Sequence, residues 1–160
     1  MATEKLKFKL ELYATMWDKP PAAEILINNK SLYKASITGT EDNPDLIEFE
    51  CEVEEDKYHE LVIERSGKSN NQTIINEKGD ILKDQLLHIK SIEIDEIDIG
   101  ALVYEGVYTP SYPELWATQQ RESSKDLKDS FKNVTEMGFN GTWSFKFSSP
   151  FYIWLLENLY

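Results

Sequence analysis

The sequence predicts a mainly β protein: an antiparallel β-sandwich of jelly-roll-like kind, with a short C-terminal helix and one polar excursion over 113–135. Three observations carry this. Polar and apolar residues alternate strictly in several short runs, turn-forming residues separate the runs, and the strand–helix alternation that a parallel sheet requires is missing. A chain of 160 residues fits one ordinary domain, 1–160, and its apolar (41%) and aromatic (12%) content supplies a core despite a net charge of -12.

The clearest strand is Lys5-Leu6-Lys7-Phe8-Lys9-Leu10-Glu11-Leu12, one face wet and one face buried. Trp17-Asp18-Lys19-Pro20-Pro21 breaks it. Ile25 and Ile27 then share a face before a turn at Asn28-Asn29-Lys30, from which Leu32 to Ile37 returns as a hairpin partner. Ile47, Phe49, Cys51 and Val53 alternate with Glu48, Glu50, Glu52 and Glu54, and His59, Leu61 and Ile63 share one face of the run from Tyr58 to Arg65. Thr73 to Ile75, Leu86 to Ile94, Ile97 to Ile99 and Leu102 to Tyr108 read as further strands, the second and third split by Asp95-Glu96. The polar stretch after Pro110 is an excursion with weak helical spacing. Thr142 to Phe147 alternates again as the last strand, and Ser149-Pro150 supplies an N-cap and first-turn proline for a helix from Phe151 to Leu159.

Charge excludes some partners. Twenty-nine acidic residues against 17 basic ones repel nucleic acid and anionic lipid, and with two arginines the chain has few forks for clamping phosphate. Neither nucleic acid nor membrane is expected as a partner. A lone cysteine, Cys51, rules out an intrachain disulfide and a cysteine-based zinc cluster. The first residues lack the continuous apolar run of a signal peptide, so the reading is of a chain made in the cytoplasm.

Catalytic signatures are missing: no Gly-x-Ser-x-Gly, phosphate-cradling glycine loop or His-Glu-x-x-His occurs, and the two histidines, His59 and His88, fall in strands where a hydrogen-bonded structural role is expected. No enzyme is predicted and no cofactor is required. Calcium is an option at Asp95, Glu96 and Asp98 with Asp84, because crowded oxygen ligands suit a hard cation. The glutamates of the Glu48–Glu54 run read as a solvated face screened by water or cations. The binding signal lies in rings on segments punctuated by proline and glycine: Trp17, Tyr104, Tyr108, Tyr112 and Trp116, which suit stacking on sugar C–H faces or anchoring a protein interface. Trp143 and Trp154 read as core. Phe151, Tyr152, Trp154, Leu155 and Tyr160 make the C-terminal segment apolar on nearly every side, to be covered by the sandwich itself or by a second subunit.

The segments from Leu10 to Pro21, Leu82-Lys83-Asp84-Gln85, Ile92 to Ile99, Tyr112-Pro113-Glu114-Leu115-Trp116 and Asn140-Gly141-Thr142-Trp143 together resemble uncharacterised small proteins of T4-like marine cyanophages. The arrangement also resembles jelly-roll carbohydrate-binding modules of the calcium-dependent, xylan-binding kind. The first resemblance implies a virion component of capsid, tail or host-recognition apparatus, assembled in the host cytoplasm beside other virion proteins or copies of itself as a homo-oligomer. The second implies a stand-alone glycan-binding module with calcium. An acidic inhibitor that mimics nucleic acid is a third reading, set by the charge alone.

Overall fold

The computed structural model describes residues 2–15, 20–67, 74–75, 81–83, 85–111 and 130–159. The strands are β1 (Thr3–Thr15), β2 (Ala22–Ile27), β3 (Lys30–Ser36), β4 (Asp45–Glu54), β5 (Tyr58–Ser66), β6 (Ile74–Ile75), β7 (Ile81–Lys83), β8 (Leu86–Ile94), β9 (Ile97–Asp98), β10 (Val107–Pro110), β11 (Phe131–Lys132), β12 (Glu136–Met137) and β13 (Gly141–Ser148). A 3-10 helix covers Gly100–Glu105, and α1 covers Phe151–Leu159. Among the described residues, one sheet runs β12-β8-β1-β4 with β9 on β8, the other runs β11-β10-β13-β5-β2-β3, and β6 and β7 form a short pair. Every pairing is antiparallel, as the alternation predicts.

Period-two patterning decides which side chains meet between the sheets. β1 turns Leu6, Phe8, Leu10 and Leu12 inward, and Ile25, Ile27, Leu61 and Ile63 of the second sheet join the same core. Trp143, Phe145 and Phe147 follow one another along the inner face of β13 with ring centroids 6.0 and 6.5 Å apart. Phe8 stacks on Phe49 across the β1–β4 ladder at 5.1 Å.

Two turns are as tight as their residues allow. Asn28 and Asn29 (φ 51° and 69°) and Asp95 and Glu96 (φ 53° and 66°) are both left-handed, the backbone of a two-residue type I′ hairpin. Asn28 also reaches sideways: its Oδ1 accepts the Glu60 N–H at 3.0 Å and its Nδ2 donates to His59 Nδ1 at 2.8 Å, while His59 Nε2 donates to the Glu54 carbonyl at 2.7 Å. His59 is thus the buried, hydrogen-bonded histidine that its strand position predicts.

Three expectations need correction. The predicted strand from Leu102 to Tyr108 is mostly the 3-10 helix, and only β10 continues as strand. Gly106, at their junction, lies where a Cβ would come within 2.3 Å of the Trp143 indole, so packing rather than β-propensity shapes this segment. The helix α1 forms where predicted, but its capping acceptor is not Ser149. The Glu4 carboxylate accepts the Phe151 N–H at 3.0 and 3.2 Å and the Ser149 hydroxyl at 3.2 Å, tying the start of β1 to the helix N-terminus. Phe151, Trp154 and Leu155, offered for a subunit interface with the sandwich itself as the alternative cover, are buried in the chain's own core. Tyr152 (49% exposed) remains outside together with Ile153 (56%) and Leu156 (63%), and Tyr160 lies outside the described residues. Among the described residues no helix is long and apolar enough to cross a membrane.

The glutamate face of β4 is not left to water alone. Register sets Glu52, Glu50 and Glu48 opposite Lys5, Lys7 and Lys9 of β1. The Lys5 ammonium stands 2.9 Å from the Glu50 carboxylate, and that hydrogen bond holds the carboxyl below and the ammonium above their ordinary values.

Candidate functional site

The two ends of the sandwich differ. At one end Thr15 pairs with Leu86 and Ala22 with Ser66, and Gly141 lies between Arg65 and Pro110, so the connections 16–21, 67–85, 111–130 and 138–140 all leave from there. The loop from Ile37 to Pro44 joins them: Ile37 N–H donates to the Pro21 carbonyl at 2.8 Å and Ala14 N–H to the Gly39 carbonyl at 3.0 Å.

A buried guanidinium fastens this end together. Arg65 follows His59, Leu61 and Ile63 on the inner face of β5 and is 1% exposed. It donates to the Gln85 carbonyl at 2.5 Å, to Gln85 Oε1 at 2.9 Å and to Asn140 Oδ1 at 3.2 Å, and so holds the segments entering β8 and β13 to the end of β5. Such charge-assisted bonds fix loop roots in place.

On the outer surface beside this end, Tyr13 of β1 stacks flat on His88 of β8, with centroids 4.4 Å apart and planes 5° from parallel. His88 Nε2 bonds the Thr15 hydroxyl at 2.9 Å, and its Nδ1 lies 3.8 Å from the Glu136 carboxylate of β12, which the register places directly across. Burial pushes the His88 imidazole below its ordinary value against the opposing pull of Glu136 and Glu41, and burial with the same two carboxylates pushes the Tyr13 phenol up. Lys90 secures the Glu41 loop by donating to its carbonyl at 2.7 Å. An imidazole, a phenol, a hydroxyl and two carboxylates thus share one rim, a set that accepts and donates hydrogen bonds beside a stacked pair of half-exposed rings. Sequence reasoning missed Tyr13. The signal was present, since Tyr13 continues the wet-face parity of Lys5, Lys7, Lys9 and Glu11.

The predicted site residues are dispersed. Trp17, Tyr112, Trp116 and Asp84 lie outside the described residues. Tyr104 is exposed at the end of the 3-10 helix, where its carbonyl accepts the Asn133 N–H at 3.2 Å. Tyr108 is corrected: it is buried, its hydroxyl donating to the Phe139 carbonyl at 2.6 Å and accepting the Phe139 N–H at 2.8 Å, so the ring is a strut and not a stacking platform.

The acidic turn has structural duties. Asp95 Oδ1 accepts the Lys7 N–H at 2.9 Å and Asp98 Oδ1 accepts the Gly100 N–H at 2.8 Å, while Glu96 occupies a left-handed turn position. Gln85, which follows Asp84, stands at the opposite end of β8, about 30 Å away at roughly 3.3 Å per residue. Among the described residues no three or more His, Cys, Asp or Glu side chains gather where they could hold a metal ion. The carboxylates of Asp95, Glu96 and Asp98 form no such group, and Asp84 lies outside the described residues. Cys51 sits half-buried on edge strand β4, its thiol pushed up by burial, which favours the protonated form.

Fold and surface together define an antiparallel sandwich of the jelly-roll class, and carbohydrate-binding modules share it. The carbohydrate-binding module vCBM60, described within two families of calcium-dependent carbohydrate-binding modules linked by circular permutation, aligns in its selenomethionine form with a TM-score of 0.51 and 8% identity over 88% of this chain and 89% of its own. vCBM60 in complex with galactobiose aligns at 0.50 and 9% identity, over 87% and 96% respectively. At such identities the likeness is one of fold. No protein-family model and no curated protein sequence matches the chain.

Proposed function

We propose that this chain is a non-catalytic carbohydrate-binding domain whose ligand sits at the Thr15–Leu86 end of the sandwich. The observation that carries the reading is the backbone likeness, over nearly the whole of both chains, to a module whose complex holds galactobiose. The rim chemistry supports it. The Tyr13–His88 stack leaves both rings half-exposed, and Thr15, Glu136 and Glu41 place polar groups beside them, a combination of ring carbon and polar groups suited to a sugar's C–H groups and hydroxyls. The acidic surface favours neutral glycans over uronates or sulfated chains. Binding is expected without calcium at the acidic turn, because among the described residues Asp95, Glu96 and Asp98 do not come together around one ion.

Affinity electrophoresis through gels of neutral polysaccharide, galactan and xylan included, tests this in EDTA and in calcium. Retardation that survives EDTA and is lost in Tyr13→Ala and in Trp17→Ala, Tyr112→Ala or Trp116→Ala supports the reading. Equal mobility across the panel overturns it.

A second reading, an accessory component of a virus particle assembled in the host cytoplasm, has one specific observation in its favour: the exposed apolar ridge of Tyr152, Ile153 and Leu156 on α1. It predicts a stable oligomer by light scattering that Leu156→Glu dissociates. A monomer at high concentration counts against it.

A further inference from the structure

β4 closes one sheet with an open side, and three of its properties fit the same absent neighbour. The first is hydrogen-bonding direction. Lys7 turns its backbone toward β8, its carbonyl accepting the Asp95 N–H at 2.8 Å, so Phe8 turns toward β4. Glu55 N–H donates to the Ala2 carbonyl at 3.0 Å, which confirms that the odd-numbered residues of β4 face β1. The N–H and C=O groups of Leu46, Glu48, Glu50 and Glu52 therefore point away from the sheet, and among the described residues no strand other than β1 pairs with β4.

The second property is charge. Glu48, Glu50 and Glu52 are exposed on the outer face, with Lys9, Lys7 and Lys5 across from them on the β1 flank and, among the described residues, no paired strand on the other. The third is the inner face. Phe49 and Cys51 pack against the core yet stay half-exposed along the lip, where edge strand β3 approaches with the half-exposed Leu32 and Tyr33. An edge protected only by charge would show no such apolar lip.

We propose that this edge accepts an extended segment of a partner protein that carries lysine or arginine at alternate positions and apolar residues between them, added as a further antiparallel strand. The cationic residues would lie across the glutamates as Lys5, Lys7 and Lys9 do on the other side, and the apolar ones would cover Phe49 and Cys51. A second copy pairing through β4 is disfavoured, because it would bring glutamates face to face. The inference stands apart from glycan binding, which uses another part of the molecule.

The probe is an acetylated and amidated peptide with the sequence of residues 5–10, Lys-Leu-Lys-Phe-Lys-Leu, a pattern β4 already accepts on its other flank. Two readouts are taken on the full chain at low salt. Fluorescence anisotropy should show saturable binding at least tenfold weaker for the peptide with glutamate in place of lysine, and at least tenfold weaker to Glu50→Pro, which deletes an edge-facing N–H and leaves the β1 ladder intact. In the unmodified chain, amide exchange at Leu46, Glu48, Glu50 and Glu52 should be fast when free and slow at least tenfold with peptide. Peptide binding that leaves those amides unprotected is charge attraction alone and overturns strand addition. No binding at millimolar peptide, or edge amides already protected in the free chain, overturns it equally. If Glu50→Pro does not fold, the exchange measurement decides alone.

Discussion

Replacing Arg65 by alanine tests how the loop-bearing end is held together. The guanidinium is 1% exposed and donates to Gln85 O, Gln85 Oε1 and Asn140 Oδ1 at 2.5, 2.9 and 3.2 Å. Hydrogen bonds from a charged donor contribute about 1.5–3 kcal/mol each, and three give a gross loss of roughly 5–9 kcal/mol. Relief from burying the charge offsets several kcal/mol of that, since desolvating an ion in a protein interior costs a comparable amount. The net destabilisation expected is about 3–5 kcal/mol, read as a shift of the urea midpoint at unchanged slope. Arg65→Lys keeps the charge but cannot span both partners, and should lose about 2 kcal/mol. A loss under about 1 kcal/mol for Arg65→Ala would refute the reasoning, because it would mean that the loop roots stand without the guanidinium.

Three further outcomes are expected. Above its ordinary 6.5 His88 is neutral in folded and unfolded chains alike, and its folded value is lowered, so its contribution to stability is full there and is lost as pH falls from 6.5 through that lower value; a urea midpoint that falls no faster with acid in the native chain than in His88→Gln would contradict this. Gly106→Ala places a methyl against the Trp143 ring and should cost about 1–3 kcal/mol in urea unfolding with an altered tryptophan emission, and an unchanged emission would be the wrong result. Deleting 151–160 removes the buried Phe151, Trp154 and Leu155, a loss of roughly 5–9 kcal/mol set against a typical stability of about 5–15, so the shortened chain should be unfolded or nearly so by circular dichroism.

Much of the sandwich was legible because one face of each strand is wet. Alternation located β4 and β13 to within two residues and β1 to within three, and the Asn-Asn turn fixed the β2–β3 hairpin. It failed where side-chain size overrode propensity, at the 3-10 helix against Trp143. The site was harder to read because its parts come from strands distant in sequence: Tyr13 and His88 meet through a register shift after Glu11, and Glu136 arrives from β12. Two details were nonetheless within reach. Arg65 shares the parity of His59, Leu61 and Ile63, which marks it as inward. A strand from Leu86 to Ile94 already keeps Gln85 and Asp95 a strand's length apart.

The inequality of the two ends has a consequence for how the chain can change. Where Asn28-Asn29 and Asp95-Glu96 close hairpins in two residues, an inserted residue would slip the register and turn a buried face to water. At the opposite end two connections, 67–85 and 111–130, are already long, and doubling one costs only about 0.6 kcal/mol in closure entropy. The interiors of these two can vary in length and composition while Arg65, its partners Gln85 and Asn140, and the ladders keep the frame, so new recognition surfaces can be grafted at that end without redesigning the sheets.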